Sequence, residues 1–174
     1  QPYKKGPDYI DPMWLGEAAG RPCRNLDFTT QGPDEIRGAF RQHLGGAEVG
    51  LVEGNGGLFD GTDPEGANTN AALARLLGVP VVLVVNCRGI NRGIAPLLLG
   101  YRAFDPELPV AGVILNQVAG TRHEAKLRAA VERYTDVPVL GALHRDAGLA
   151  IPERHLGLVP RAEEADSGAI IRRL

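Results

Sequence analysis

Val79–Val85, VPVVLVV, constrains this chain more than any other stretch. It is uncharged, rich in β-branched residues and bounded by Gly78 and Asn86. A run this short and this apolar reads as a strand, and one buried on both faces, as in a parallel sheet. Val110–Leu115 is a second such run and ends at Asn116-Gln117. Asn91–Tyr101 reads as a helix between them, with Pro96 near its first turns. Thr121–Tyr134 is an amphipathic helix with Leu127, Ala130 and Val131 inward. Val137–Leu140 is a last short strand, followed by a loop over Gly141–Arg145, and the tail Ile151–Val159 contains Glu153-Arg154-His155.

The first half keeps the same rhythm. Tyr3–Lys5 ends a strand and Gly6-Pro7 turns the chain. Asp11-Pro12 starts a helix, Asp as N-cap and Pro at N1, which runs through Trp14–Ala19 to Gly20. Arg21–Phe28 reads as a charged loop in which Arg21 and Arg24 either meet an anionic substrate or are solvated. Gly32-Pro33-Asp34 opens a helix with Ile36, Phe40 and Leu44 on one face, closed by Gly45-Gly46. Ala71–Leu77 is a further helix. Strands and helices that alternate through short joins form βαβ units. The expected fold is therefore an α/β, doubly wound, mostly parallel sheet with helices on both faces.

Val49–Gly61, VGLVEGNGGLFDG, is where chemistry is expected. Val49, Leu51 and Val52 make a buried strand that stops at Glu53. Gly54, Asn55, Gly56 and Gly57 then break regular structure, and Asp60 follows. A carboxylate at the carboxyl end of a parallel strand lies where open α/β sheets bind ligands. Glycines let the backbone approach a ligand closely. This pattern fits an acidic Mg²⁺ and phosphate site, and equally an ordinary strand-to-helix turn with solvated acids. Asp11 likewise reads as a cap or as a site residue.

Composition narrows the classes. The 174 residues are 44% hydrophobic and 23% charged, enough for one full globular core. A net charge of −2 gives no electrostatic reason to expect nucleic acid or an anionic membrane. No apolar run reaches the roughly 18–20 residues of a membrane span. Two cysteines, Cys23 and Cys87, are too few for a disulfide framework, so a reduced, cytoplasmic protein is expected. The three lysines, Lys4, Lys5 and Lys126, precede Lys5, Gly6 and Leu127, so no Walker A loop, G-x-x-x-x-G-K-[ST], lies in the chain. The chain starts at Gln1 and is in a motif by Tyr3, which reads as a fragment: either it is not a P-loop protein, or a first strand and P-loop are expected upstream of Gln1.

The ordered set YKKGPDYIDP, GRPCRNLD, VEGNGGLFDG, GVPVVLVV, GVILNQV, VPVLGAL and ERHLGL resembles the N-terminal domain of the cobyrinic acid a,c-diamide synthase family. That family sits in the dethiobiotin-synthetase-like branch of P-loop proteins. The resemblance implies a synthetase domain over 1–174, truncated before its first strand and P-loop, and ATP-dependent amidation of two tetrapyrrole carboxylates, with glutamine as ammonia donor and an acyl phosphate as intermediate. By the same resemblance Glu53 binds Mg²⁺, while Asp8 and Asp11 flank the reacting carboxylate and the γ-phosphate. Asp60 lies beside the tetrapyrrole and helps choose the carboxylate. Lys4 faces transferring phosphate, Asn116 reads adenine, and Arg21 and Arg24 pair with other substrate carboxylates. The implied partners are a polycarboxylate tetrapyrrole and a glutaminase domain, and a homodimer is left open. GNGGLFDGTDPEGANTNAALARLLG and NCRGINRGIAPLLLGY look closer to the branch acting on sirohydrochlorin-type rings. Neither Cys23 nor Cys87 sits as a glutaminase nucleophile would. Two other readings of the same fold remain: a dethiobiotin-synthetase-like carboxylating ligase, and a non-catalytic nucleotide- or partner-binding domain.

Overall fold

The computed structural model describes residues 1–149, 153–154, 157–158 and 167–173. The chain divides into two compact units, one of Gln1–Leu77 with Ala147–Leu174, the other Gly78–Asp146. In the first unit the elements run β1 (Pro2–Lys5), α1 (Ile10–Ala19), β2 (Arg24–Leu26), α2 (Pro33–Leu44), β3 (Leu51–Glu53) and α3 (Asn70–Leu77). Its three-stranded sheet has the order β2-β1-β3, and both pairings are parallel. Successive residues of β1 point to opposite faces. Tyr3 turns to the face covered by α2 and α3, where it packs with Leu26, Ile36 and Leu73. Its hydroxyl donates to the Phe40 carbonyl at 2.7 Å, which satisfies the one polar atom that side chain buries. Lys4 turns to the other face, towards α1, whose Trp14 is buried.

Helix α2 forms where the periodicity places it. Glu35 accepts a hydrogen bond from the Gly32 N–H at 2.6 Å at its start, and Ile36 is fully buried. Helix α1 begins earlier than expected, at Ile10. Asp11 lies in its first turn rather than at the cap, and the capping oxygen belongs to Asp8. Arg21–Phe28 is not all loop, because Arg24–Leu26 pair with β1 as β2. In β3 only Val52 joins the core. Val49 is 70% and Leu51 63% exposed, so the buried run expected there is half exposed.

The second unit holds β4 (Val81–Asn86), α4 (Ile94–Phe104), β5 (Val110–Val118), α5 (Thr121–Tyr134) and β6 (Val139–His144). Its sheet order is β4-β5-β6, again wholly parallel. Leu83, Val85, Val113 and Leu115 share one face in register and are buried. Ile94 and Leu98 of α4 and Leu127 and Val131 of α5 are fully buried as well, and the two helices pack together. Val82 and Val84 point the opposite way and are exposed, so β4 is buried on one face and not on both. Strand β5 runs past Leu115 because a bulge absorbs the break. The register slips between Leu115 and Val118, Gln117 takes φ +60°, and Val118 pairs again with His144. Strand β6 likewise continues through residues expected to be loop.

In the tail, Ala147–Leu149 make a 3₁₀ turn. Then β7 (Glu153–Arg154) pairs antiparallel with β8 (Gly157–Leu158), and α6 (Ser167–Arg173) follows. His155, singled out in the sequence, lies outside the described residues, as do Ile151 and Val159. No helix of the described residues is long and apolar enough to cross a membrane.

Candidate active site

The centre of the first unit is an ammonium among carboxylates. Parallel pairing sets Lys4 of β1 level with Glu53, the last residue of β3, so both side chains leave the same face. Lys4 Nζ donates to Asp11 Oδ2 at 2.6 Å, to Glu53 Oε2 at 3.1 Å and to the Gly54 carbonyl at 3.3 Å. Those contacts use all three of its N–H donors. Asp8 Oδ2 stands 3.9 Å away. Lys4 itself is 4% exposed. Burial by itself would push the ammonium down. The hydrogen bond to Asp11 and the charge of Glu53 outweigh that and hold it above the ordinary lysine value. The structure therefore brings together Lys4, Asp8, Asp11 and Glu53 at the carboxyl ends of β1 and β3.

Each carboxylate is positioned by a different local device. Asp8 Oδ1 accepts the Ile10 N–H at 2.9 Å and the Asp11 N–H at 3.4 Å, and so serves the open start of α1. That start in turn carries Asp11 towards Lys4. The turn before Asp8 is fixed from β2. Asn25 Nδ2 donates to the Gly6 carbonyl at 2.7 Å and to the Asp8 carbonyl at 2.6 Å. Gly6 holds φ +84°, which an L side chain rarely adopts. Sequence reading missed Asn25. Its only signal is a position in GRPCRNLD, and the bond crosses 17 residues.

Asp60 lies on the same glycine loop but makes no ion pair with Lys4 among the described residues. It is exposed, its N–H donates to the Gly57 carbonyl at 3.3 Å, and its carboxylate folds over Gly57 so closely that a Cβ there would overlap it. The loop is tied to the first residue of α3. Asn70 Oδ1 accepts the Asn55 N–H at 3.1 Å, and Asn70 Nδ2 donates to the carbonyls of Asn55 at 2.5 Å and Gly57 at 2.9 Å.

The arginines are not gathered into this cluster. Arg24 opens β2 level with Tyr3, and Arg21 reaches the Gly45 carbonyl beyond the end of α2 at 3.5 Å. Both stand towards the amino ends of the strands. Asp27, just past the carboxyl end of β2, is 5% exposed. Burial pushes its carboxyl up, but hydrogen bonds from the Thr29 N–H and the Thr30 hydroxyl win and hold it below the ordinary value. Cys23 is pushed up to about 11 by burial, and Cys87 is fully buried and also pushed up. Neither is an activated thiol.

Asn116 belongs to the second unit. It ends the regular part of β5, level with Asn86 at the end of β4. Its Oδ1 accepts the Gln117 N–H at 2.8 Å, and Arg145 Nε donates to the Gln117 carbonyl at 3.0 Å. His123 accepts the Ala119 N–H at Nδ1, so its Nε2 carries the proton and donates to the Ile90 carbonyl at 2.6 Å. Glu124 bonds His144 at 2.8 Å and Arg128 at 2.8 Å, and these two contacts hold its carboxyl down.

Among the described residues no three His, Cys, Asp or Glu side chains are arranged to enclose a metal ion. Mg²⁺ does not require that, since it is commonly held by one or two carboxylates together with nucleotide phosphates. Glu53 suits such a site: its side chain is 45% exposed, against 30% for Asp8 and 24% for Asp11.

Residues 33–153 match the model of a family described as AAA domain. The chain is 52% identical over 164 residues to a cobyrinate a,c-diamide synthase of Magnetococcus marinus, covering 94% of this chain and 35% of that protein. It is 48% identical over 163 residues to a hydrogenobyrinate a,c-diamide synthase of Streptomyces coelicolor, covering 93% and 33%. A cobyrinate a,c-diamide synthase of Methanobrevibacter smithii is 40% identical over 172 residues, covering 98% and 38%. The chain thus spans about a third of the length of these relatives. The resemblance carried by GPDYIDP and the glycine loop holds, and the chain belongs to the AAA domain family, with cobyrinate and hydrogenobyrinate a,c-diamide synthases as its relatives.

Proposed function

We propose that this chain is the synthetase part of an ATP-dependent ligase that amidates the a and c acetate carboxylates of a cobyrinate- or sirohydrochlorin-type tetrapyrrole. The observation that carries the reading is the Lys4 ammonium held by Asp11 and Glu53 beside Asp8, at the carboxyl ends of parallel strands. In the proposed reaction a substrate carboxylate oxygen attacks the γ-phosphorus of ATP and ADP departs. The nitrogen of ammonia, released from glutamine by a glutaminase domain, then attacks the acyl carbon. Phosphate leaves with the former carboxylate oxygen, and the nitrogen sheds protons to give the amide.

Phosphoryl transfer is mainly positioning and charge neutralisation. Three carboxylates alone would repel both an anionic substrate and a triphosphate, so Lys4 supplies the fixed positive charge. Glu53 would hold Mg²⁺, which when bound neutralises phosphate oxygens. Lys4 must then loosen its bond to Glu53 and turn donors to the phosphoryl group. Asp8 and Asp11 limit how far it turns. Asp60 faces the tetrapyrrole, and Asn116, whose Oδ1 accepts the Gln117 N–H, offers its NH₂ to an acceptor on adenine. Arg21 and Arg24 stand at the other ends of the strands and have the weakest case as substrate ligands.

The test uses the protein at its full natural length, with cobyrinate, hydrogenobyrinate and sirohydrochlorin offered separately with Mg²⁺-ATP and glutamine or ammonia. Products are resolved by mass. Amides should form with one of these rings. Glu53→Gln should cut turnover by about a hundredfold or more while leaving Tm near the parent value. Absence of amide from all three rings would defeat the reading, and near-normal turnover of Glu53→Gln would remove Glu53 as a metal ligand.

A further inference from the structure

Asn70 is assigned no role by the reading above, yet its side chain makes three hydrogen bonds to the backbone of the glycine loop. Its amide meets both backbone groups of Asn55 and the carbonyl of Gly57, pairing with the loop much as a neighbouring strand would. The Gly57 carbonyl is shared, because it also accepts the Asp60 N–H at 3.3 Å. The contact therefore passes from Asn70 through Gly57 to Asp60. The fit is tight: a Cβ on Gly54 would stand 2.8 Å from Asn70 Cγ and Oδ1. One residue on, the Ala71 N–H donates to the Leu58 carbonyl at 3.0 Å, so the start of α3 holds the loop at Asn55, Gly57 and Leu58, while Lys4 holds the Gly54 carbonyl. Glu53 does not depend on α3. That residue is fixed by the pairing of β3 with β1 and by Lys4.

We propose that Asn70 is a positioning residue that holds the 54–57 loop so that Asp60 meets the polycarboxylate substrate, while Mg²⁺-ATP engagement at Glu53 proceeds without it. This rests on the amidation reading. Three variants are compared in the protein at its full natural length: Asn70→Ala, Gly54→Ala and the pair. In Asn70→Ala the amide of Asn55 loses its acceptor, so hydrogen exchange in a peptide covering 54–60 should rise about tenfold, with exchange in α2 unchanged. KM for the tetrapyrrole should rise about tenfold, with KM for ATP within roughly twofold of the parent. Gly54→Ala should reproduce the rise in exchange by pushing the amide aside, and the pair should exchange no faster than either alone.

Exchange at 54–60 that matches the parent in Asn70→Ala would overturn the proposal. So would equal rises in KM for both substrates, or losses that track Tm, or variants that simply add. If the parent makes no amide from any ring, the amidation reading fails by itself. Exchange in Asn70→Ala and in Gly54→Ala then still decides whether Asn70 holds the loop.

Discussion

Asp27 shows how a single buried carboxylate ties stability to pH. The Thr29 N–H and the Thr30 hydroxyl bond its charged form, and its folded pKa lies below the ordinary value. For a carboxyl lowered on folding, the stabilisation is present above the unfolded pKa and fades as pH falls through the folded one. Asp27→Asn should therefore cost roughly 1.5–3 kcal/mol at pH 7, the range for hydrogen bonds to a charged group. That difference should close as pH falls below the ordinary carboxylate range. Urea midpoints of both proteins at pH 7 and near pH 2.5 check it, and a gap that persists unchanged in acid would refute the account. The same scale explains what could be read of the site beforehand. Lys4, Asp8, Asp11 and Glu53 announced themselves as charged residues in short motifs. Asn25 and Asn70 did not, because a neutral amide acting across 17 or 15 residues leaves no local pattern.

At the scale of elements, period and turn chemistry told the truth where one face decides. Thr121–Tyr134 was legible end to end because Leu127, Ala130 and Val131 repeat at helical spacing and are all buried. Helix α1 was misplaced by a cap. Pro is tolerated anywhere in a first turn, whose N–H groups lack intrahelical acceptors. Asp11 before Pro12 was thus an admissible start, yet the helix opens earlier, at Ile10, where Asp8 Oδ1 accepts the first N–H groups. Apolar runs misled in another way. Val82, Val84 and Leu51 are exposed, and an apolar strand residue does not say what lies across from it. Close packing gives a sharper forecast. A Cβ on Gly112 of β5 would come within 2.5 Å of Leu140 Cγ and 2.8 Å of the Pro138 carbonyl. Gly112→Ala should destabilise the second unit by about 1–3 kcal/mol, the usual cost of overpacking. Chemical denaturation measures this, and a neutral result would mean that β6 can move aside freely.

For the whole molecule, the alternation of strands and helices was enough to place the chain among parallel α/β proteins, and each unit bears this out in its own sheet. The chain carries no Walker A loop, whose backbone amides and lysine make most phosphate contacts in P-loop proteins. Residues 1–174 expressed alone should fold yet show no micromolar affinity for Mg²⁺-ATP by titration calorimetry. Micromolar binding would revive the reading of a self-sufficient nucleotide-binding module. Trp14 makes such experiments unusually direct. It is the only tryptophan in the chain, it is buried, and it lies three residues beyond Asp11 on α1. Emission excited near 295 nm therefore reports the first unit, while far-ultraviolet circular dichroism reports the helices of both. A protein that melts as one body will give a single curve by the two methods. One whose units melt apart will lose its indole signal at a temperature of its own.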